Sequence, residues 1–251
     1  MIDRSGILKW EEKGPIGVIK IDSGTPTNAI PKPDFADLNT IKQWVEQQEI
    51  KGVIVTGEGR HFCSGADLKY FEGQQLDSDA ILRKFDVAED VLSYFENLEK
   101  PIIAAVNGVC LGGGLEIALA CHMRFCSKGA VFGFPEITHG VIPGYGGIQR
   151  LYNIVGRSRT LEIILTGDTF NAEYACEQGI ANDFVNEKSC LNHAEEFINR
   201  VAEMGAKPVA YAIRSVNNAN RMDYSHAIKE ECRMFVELVI DQYKDGGDHI
   251  G

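Results

Sequence analysis

The feature that most constrains the fold is an alternation of strand and helix patterns at the start of the chain. The runs at 16–22 and 51–57, IGVIKID and KGVIVTG, are rich in β-branched residues and end at turn residues, which is typical of buried strands. Between them, residues 34–49 repeat apolar side chains at helical spacing. A strand, a helix and a strand in succession predict an α/β layered fold.

The alternation continues to the middle of the chain. An amphipathic helix is predicted over 79–98, and buried strands are predicted over 101–110 and 130–136. The strand at 101–110 runs into the most glycine-rich part of the chain, which is the stretch GVCLGGGLEIALAC at 108–121. We expect this junction of strand, glycines and helix to lie inside the α/β core.

The texture changes beyond Gly156, where the patterns are mostly helical and only 181–187 is a further strand candidate. The chain has 251 residues, of which 44% are hydrophobic, so it is long enough for one large core with a smaller appendage. We therefore predict an α/β core over residues 1–195, followed by a helical C-terminal region over 196–251.

Composition excludes several classes of partner. The net charge of -11 argues against binding nucleic acid or an anionic membrane surface. The longest apolar window, 101–123, contains four glycines and a glutamate, so it is not expected to span a membrane. The seven cysteines form no CxxC pair, and the N-terminus lacks a signal-peptide pattern. These features predict reduced thiols in a cytoplasmic protein, with no metal site.

One acidic residue stands alone in the apolar window. Glu116 is the only charged residue between Lys100 and Arg124. A carboxylate in an apolar setting is costly unless it is paired or hydrogen-bonded, so its position at a solvent-facing helix edge is the simpler interpretation. The apolar residues on both sides offer no polar face there, which favours a functional carboxylate instead.

The glycines before Glu116 indicate a place where backbone meets a ligand. Amides in the first turn of a helix lack an intrahelical acceptor, and glycine lets a ligand approach them closely. The pattern fits neither GxGxxG nor the Walker motif, so either an oxyanion hole, a phosphate cradle or a plain tight turn remains open. The stretch 59–71 offers backbone amides for a second donor, and Glu136 in 132–151 is a second carboxylate for the same pocket.

Three stretches carry a resemblance to a known family, and in chain order they are GRHFCSGADL, AAVNGVCLGGGLEIALAC and FGFPEITHGVIPGYGGIQRL. In these stretches the chain resembles the crotonase superfamily, and specifically its enoyl-CoA hydratases. The resemblance covers about residues 16–219. It implies a spiral of ββα units with a helical C-terminal trimerisation region. It also implies a homotrimer or a hexamer built as a dimer of trimers.

The resemblance also assigns site residues. The amides of Ala66 and Gly113 would form the oxyanion hole for the thioester carbonyl. Glu116 would hold and deprotonate the attacking water, and Glu136 would exchange the proton at C2. The implied substrate-binding residues are Ala66, Asp67, Leu68, Gly112 and Gly144. The implied activity is a hydro-lyase reaction of fatty acid metabolism, in which acyl-CoA is the substrate and no cofactor takes part.

Three alternatives stay open at this point. An enoyl-CoA isomerase or another thioester-enolate lyase or decarboxylase would use the same scaffold. A non-catalytic trimer that binds acyl-CoA would keep the fold without turnover. The segment TPTNAI at 25–30 lacks the basic residue that relatives carry before the asparagine, and the C-terminal stretch YKDGGDHIG lacks their longer aromatic and basic tail. A carrier-protein thioester is therefore a second candidate substrate.

Overall fold

The computed structural model describes residues 3–73, 77–185 and 189–244. The strands are β1 (Asp3–Ser5), β2 (Leu8–Lys13), β3 (Ile16–Ile21), β4 (Gly52–Gly57), β5 (Ile102–Val106), β6 (Val109–Leu111), β7 (Met123–Ser127), β8 (Val131–Gly133), β9 (Thr169–Asn171) and β10 (Asp183–Val185). The helices are α1 (Leu38–Val45), α2 (Ser78–Asn97), α3 (Gly113–Ala120), α4 (Gly147–Thr166), α5 (Ala172–Glu177), α6 (Cys190–Ala202), α7 (Ala206–Asn218) and α8 (Tyr224–Lys244). The last two positions of the strand predicted over 181–187 and most of the C-terminal tail lie outside the described residues.

The strands form two sheets, between which the chain alternates. The larger sheet has the order β1-β2-β3-β4-β5-β7-β10, and the smaller has the order β6-β8-β9. From β3 onward the neighbouring strands of the larger sheet are parallel. The chain passes from β5 to β6 and α3, and then from β7 to β8 and α4, so each turn gives one strand to each sheet. The predicted spiral of ββα units is confirmed.

The strand predicted over 101–110 is wrong in one respect, because it divides into β5 and β6 in different sheets. The side chain of Asn107 causes the division, since it donates hydrogen bonds to the carbonyls of Gly57 and Gly59 and accepts one from the Gly57 amide. After this turn, Val109 accepts hydrogen bonds from the amides of Phe62 and Cys63. The turn therefore brings the glycine-rich stretch beside the loop that precedes Ala66.

The other predicted elements agree with the structure, with shorter bounds. The runs at 16–22 and 51–57 are β3 and β4, and the helices over 34–49 and 79–98 are α1 and α2. The run at 130–136 is only β8, because Pro135 begins a 3-10 turn over Pro135–His139. Strands β1, β2, β7 and β9 were not predicted, since short strands with charged or mixed residues carry little periodicity.

The C-terminal region is helical, as predicted, but its first helix belongs to the sheet. Helix α6 buries Ile198 against the larger sheet, where a β-carbon at Gly52 would lie 2.6 Å from the Ile198 side chain. The predicted boundary between 195 and 196 falls inside α6, so the division into two units stays a prediction. No helix within the described ranges combines the length and apolar character needed to cross a membrane.

All seven cysteines are free thiols in the structure. Those near the glycine-rich stretch have structural partners: Cys121 donates to the Ile117 carbonyl, and Cys126 donates to the Asp183 carbonyl. His122 accepts a hydrogen bond from the Ile102 amide. In the part of the chain that is described, no group of three or more His, Cys, Asp or Glu side chains is placed to hold a metal.

Candidate active site

An apolar cavity of about 630 Å³ lies between α2, α3, the segment 66–71 and the segment 136–145. Six of the predicted site residues line it: Ala66, Leu68, Gly113, Glu116, Glu136 and Gly144. The rest of the wall is aromatic or aliphatic: Phe71, Ile81, Phe85, Val141, Ile142 and Tyr145. The prediction that the two glutamates face one pocket is therefore confirmed in the geometry, and the pocket is suited to an apolar group.

Asp67 and Gly112 lie on a second, smaller cavity of about 320 Å³. This cavity shares Ala66, Leu68 and Glu136 with the first, so the two adjoin at the segment 66–68 and the second carboxylate. The side chain of Asp67 accepts a hydrogen bond from the Lys69 amide and caps the 3-10 turn Leu68–Phe71. This cap fixes Asp67 at the smaller cavity, next to the apolar one.

Glu116 lies in α3 with only 1% of its surface exposed. Its Oε1 atom accepts two backbone hydrogen bonds, one of 2.7 Å from the Tyr145 amide and one of 2.8 Å from the Gly147 amide. Both donors belong to the turn at the start of α4, where Gly146 has a positive φ of 79°. Oε1 is therefore fully used, and Oε2 is the oxygen left for a ligand.

The pKa of Glu116 reflects opposing influences. The pKa is raised from 4.5 to about 7, chiefly by burial and to a smaller extent by the Glu136 carboxylate. The amides of Gly147 and Tyr145 and the charge of Arg150 lower it. The balance puts the pKa near neutral pH, where a carboxyl group exchanges protons readily.

Glu136 lies in the 3-10 turn that follows β8 rather than at the end of a strand. Its Oε2 atom is buried and has no hydrogen-bond partner among the described residues. Burial raises the pKa of this carboxyl as well. A β-carbon at Gly112 would lie 2.5 Å from Oε1 of Glu136, so glycine at position 112 leaves room for the carboxylate.

Two backbone amides are left without an acceptor between the loops. The Gly65 carbonyl accepts a hydrogen bond from the Ile30 amide, and the Asp67 amide donates one to the Ile30 carbonyl. The amide of Ala66, which lies between them, donates to no acceptor in the described ranges. Likewise the Gly112 amide donates to Gly133, whereas that of Gly113 donates to none. The loop that carries the Ala66 amide lies beside the Gly113 amide, because a β-carbon at Gly65 would lie 3.2 Å from the Gly113 nitrogen.

The sequence did not indicate which groups hold Glu116. The donors Tyr145 and Gly147 are 29 and 31 positions away, and their turn contacts Arg150, which sequence reasoning missed. Tyr145 has two roles, since its ring also lines the cavity and stacks on Phe85 with centroids 4.9 Å apart. The glycines of GYGG were a signal for a special turn, but they gave no indication of its partner.

A family model described as enoyl-CoA hydratase/isomerase matches residues 11–248. A protein named as a probable mitochondrial enoyl-CoA hydratase from Dictyostelium discoideum is 34% identical over 229 residues, covering 90% of this chain and 80% of that protein. The short-chain-enoyl-CoA hydratase of Clostridium acetobutylicum is 33% identical over 230 residues, covering 90% of this chain and 87% of that protein.

The fold is also shared with solved structures. The crystal structure of enoyl-CoA hydratase subunit I from Geobacillus kaustophilus superposes with a TM-score of 0.85 at 29% identity. The match covers 96% of this chain and 93% of that chain. The similarity therefore extends over both sheets and the C-terminal helices.

Proposed function

Because the chain belongs to the enoyl-CoA hydratase/isomerase family of the crotonase superfamily, we propose that it is an enoyl-CoA hydratase. It adds water across the 2,3-double bond of a 2-enoyl thioester. The observation that carries the proposal is the pair of buried carboxyls, Glu116 and Glu136, on one apolar cavity beside two unpaired amides. The reaction needs no cofactor, since these groups supply the charge stabilisation and both proton transfers.

The amides of Ala66 and Gly113 hold the thioester oxygen. Addition of water at C3 sends negative charge to that oxygen, and a fixed donor aimed at it stabilises the transition state by roughly 3 kcal/mol. Gly113 is also the first residue of α3, so the positive end of the helix dipole faces the developing charge. Backbone donors serve here without any side chain.

The two carboxyls divide the proton transfers. Glu116 is the base above its pKa of about 7, where the two N–H bonds to its Oε1 stabilise the charged form. Glu136 holds the proton, since its buried Oε2 has no donor to stabilise a charge. Water bonds to C3 as Glu116 takes its proton, the C2–C3 electron pair moves toward the thioester, and C2 receives the proton of Glu136. The proton returns from Glu116 to Glu136 before the next turnover.

The shape of the two cavities supports an apolar acyl group on a pantetheine arm. The acyl chain occupies the larger cavity, and the arm passes Asp67 and Leu68 along the smaller one. Both acyl-CoA and an acyl-carrier protein present this arm, and the relatives named above act on CoA thioesters. We take acyl-CoA as the substrate, in fatty acid metabolism in the cytoplasm.

The proposed assembly is a homotrimer or a dimer of trimers. The support is a set of exposed apolar side chains on α4 and α8, namely Leu161, Leu165, Phe235, Ile240 and Tyr243. Large apolar residues exposed on helices are typical of surfaces that another subunit covers. Light scattering during gel filtration measures the mass and distinguishes one, three and six copies.

The function is tested by adding the protein to crotonyl-CoA and following the loss of enoyl-thioester absorbance. A panel of 2-enoyl-CoA esters of increasing length, and the same acyl groups on a carrier protein, runs in parallel. Hydration of at least one member supports the proposal. Absence of hydration across the whole panel, by a folded protein, overturns it.

A further inference from the structure

Arg150 lies in α4 with a guanidinium that is almost fully buried, since only 8% of its side chain is exposed. It donates to two carboxylates of α2: its Nη2 atom lies 2.8 Å from Glu89, and its Nε atom lies 3.0 Å from Glu96. Its Nη1 atom donates to the carbonyl of Tyr145. One side chain therefore ties the turn before α4 to helix α2.

That turn is the one that holds Glu116. The peptide groups of residues 145–147 accept from Arg150 on one side and donate to the Glu116 carboxylate on the other. The contact is close, because a β-carbon at Gly146 would lie 2.6 Å from Nη1 of Arg150. A shift of the guanidinium would therefore move the two amides that fix Glu116.

We infer that Arg150 is a positioning residue for hydration, which holds the Glu116 carboxylate in place through the turn at residues 145–147. The inference rests on the proposed function for its catalytic meaning. Its physical content, a coupling between Arg150 and Glu116, does not depend on the reaction. Arg150 touches neither cavity that we assign to the substrate.

The coupling has an electrostatic part with a definite sign. The charge of Arg150 lowers the pKa of Glu116, against burial and Glu136, which raise it. Tyr145 is the other titratable group packed against Glu116. On the far side, Glu89 and Glu96 offset the arginine, and a polar cleft of about 430 Å³ beside it also holds His122 and Arg221.

Three substitutions separate charge from geometry. Arg150→Gln removes the charge and the clamp, so we expect a higher pKa for Glu116 and a lower kcat. Arg150→Lys keeps the positive charge but loses the planar guanidinium that donates to several acceptors at once. We therefore expect the pKa of Glu116 to stay unchanged and kcat to fall by about tenfold. Glu89→Gln keeps the clamp to Glu96 and removes an opposing charge, so we expect the pKa of Glu116 to fall slightly.

The experiment measures the pKa of Glu116 in each full-length variant by carboxyl carbon-13 NMR, with the signal assigned by its loss in Glu116→Gln. The acid limb of kcat/KM against pH is measured on the same samples. The control is Arg214→Gln, which removes an exposed ion pair with Glu99 just beyond α2. It is expected to leave both readouts unchanged.

The expected result is an upward shift of about half a pH unit or more in Arg150→Gln, in both readouts, and no such shift in Arg150→Lys. Unchanged Glu116 titration in a folded Arg150→Gln overturns the inference. If Arg150→Gln does not fold, a rise instead of a fall in Glu89→Gln overturns it. The NMR titration keeps its meaning if the wild type fails to hydrate any thioester, so failure of the function and of the coupling are distinguishable.

Discussion

A β-carbon at Gly112 would lie 2.5 Å from Oε1 of Glu136, so the residue that precedes α3 sets the space for the second carboxylate. Gly112 also has a φ of 50°, a conformation that residues with side chains rarely adopt. We expect Gly112→Ala to displace Glu136 and to reduce kcat by at least about tenfold, with a stability loss of ~1–3 kcal/mol. Steady-state kinetics and urea unfolding measure the two effects.

The matched control is Gly14→Ala. Gly14 has a similar φ of 59° but nothing within 4 Å of a β-carbon, and it lies in the β2–β3 turn. The Gly14→Ala variant is expected to be less stable than the wild type and to keep the same kcat. Equal kcat in both variants would mean that the contact between Gly112 and Glu136 has no part in the reaction.

The stability of the protein should depend on the ionisation of Glu116. Burial raises the pKa of this group from 4.5 to about 7, so the folded state binds the proton more tightly than the unfolded chain. The contribution of this group is therefore fully present below pH 4.5 and is lost as the pH rises through 7. We expect the stability of the wild type to fall relative to Glu116→Gln, by up to about 3 kcal/mol, on going from about pH 5 to about pH 8.

Urea unfolding at fixed protein concentration gives this difference. Glu49→Gln, which removes a carboxylate at an exposed position, is the control. A stability of Glu116→Gln that tracks the wild type at every pH would contradict a raised pKa for the buried carboxyl.

The ring of Phe85 should limit the acyl group. It stacks on Tyr145 and lies so close to the loop that a β-carbon at Gly144 would be 2.6 Å from it. We expect Phe85→Ala to deepen the apolar cavity and to raise kcat/KM for longer enoyl chains relative to crotonyl-CoA by about tenfold. The ratio is read from a chain-length series, with Phe170→Ala in the smaller sheet as the control. If the ratio of kcat/KM for long and short chains changes equally in both variants, Phe85 does not determine the acyl chain length.

The oxyanion hole can be tested at one of its two donors. Ala66→Pro removes an amide hydrogen that donates to no acceptor within the described part of the chain, so no internal hydrogen bond is lost. We expect kcat to fall by about 10²–10³-fold. Binding of butyryl-CoA, which cannot be hydrated, is measured beside it to show that the groove is intact. Full activity in this variant would exclude the Ala66 amide from the reaction.

The sequence predicted the residues of the site better than it predicted the groups that hold them in place. A lone glutamate among apolar residues and a run of glycines are local signals, and Glu116, Gly113 and Glu136 do line one cavity. The holding turn could not be predicted, because it joins Glu116 to Tyr145 across 29 positions through tertiary packing alone. The break at Asn107 was hidden for a similar reason, since its cause is three hydrogen bonds to β4 and the loop that follows it.

The central claim is that Glu116 and Glu136 together add water to an enoyl thioester. The most direct measurement is the reaction of crotonyl-CoA in deuterated water, with the product analysed by mass and NMR, for the wild type and for Glu116→Gln and Glu136→Gln. We predict a hydroxyl at C3 and one solvent deuterium at C2 in the wild type, and rates at least about 10²-fold lower in each variant. Deuterium at C2 or C4 without addition of water, or rates unchanged in both variants, would contradict it.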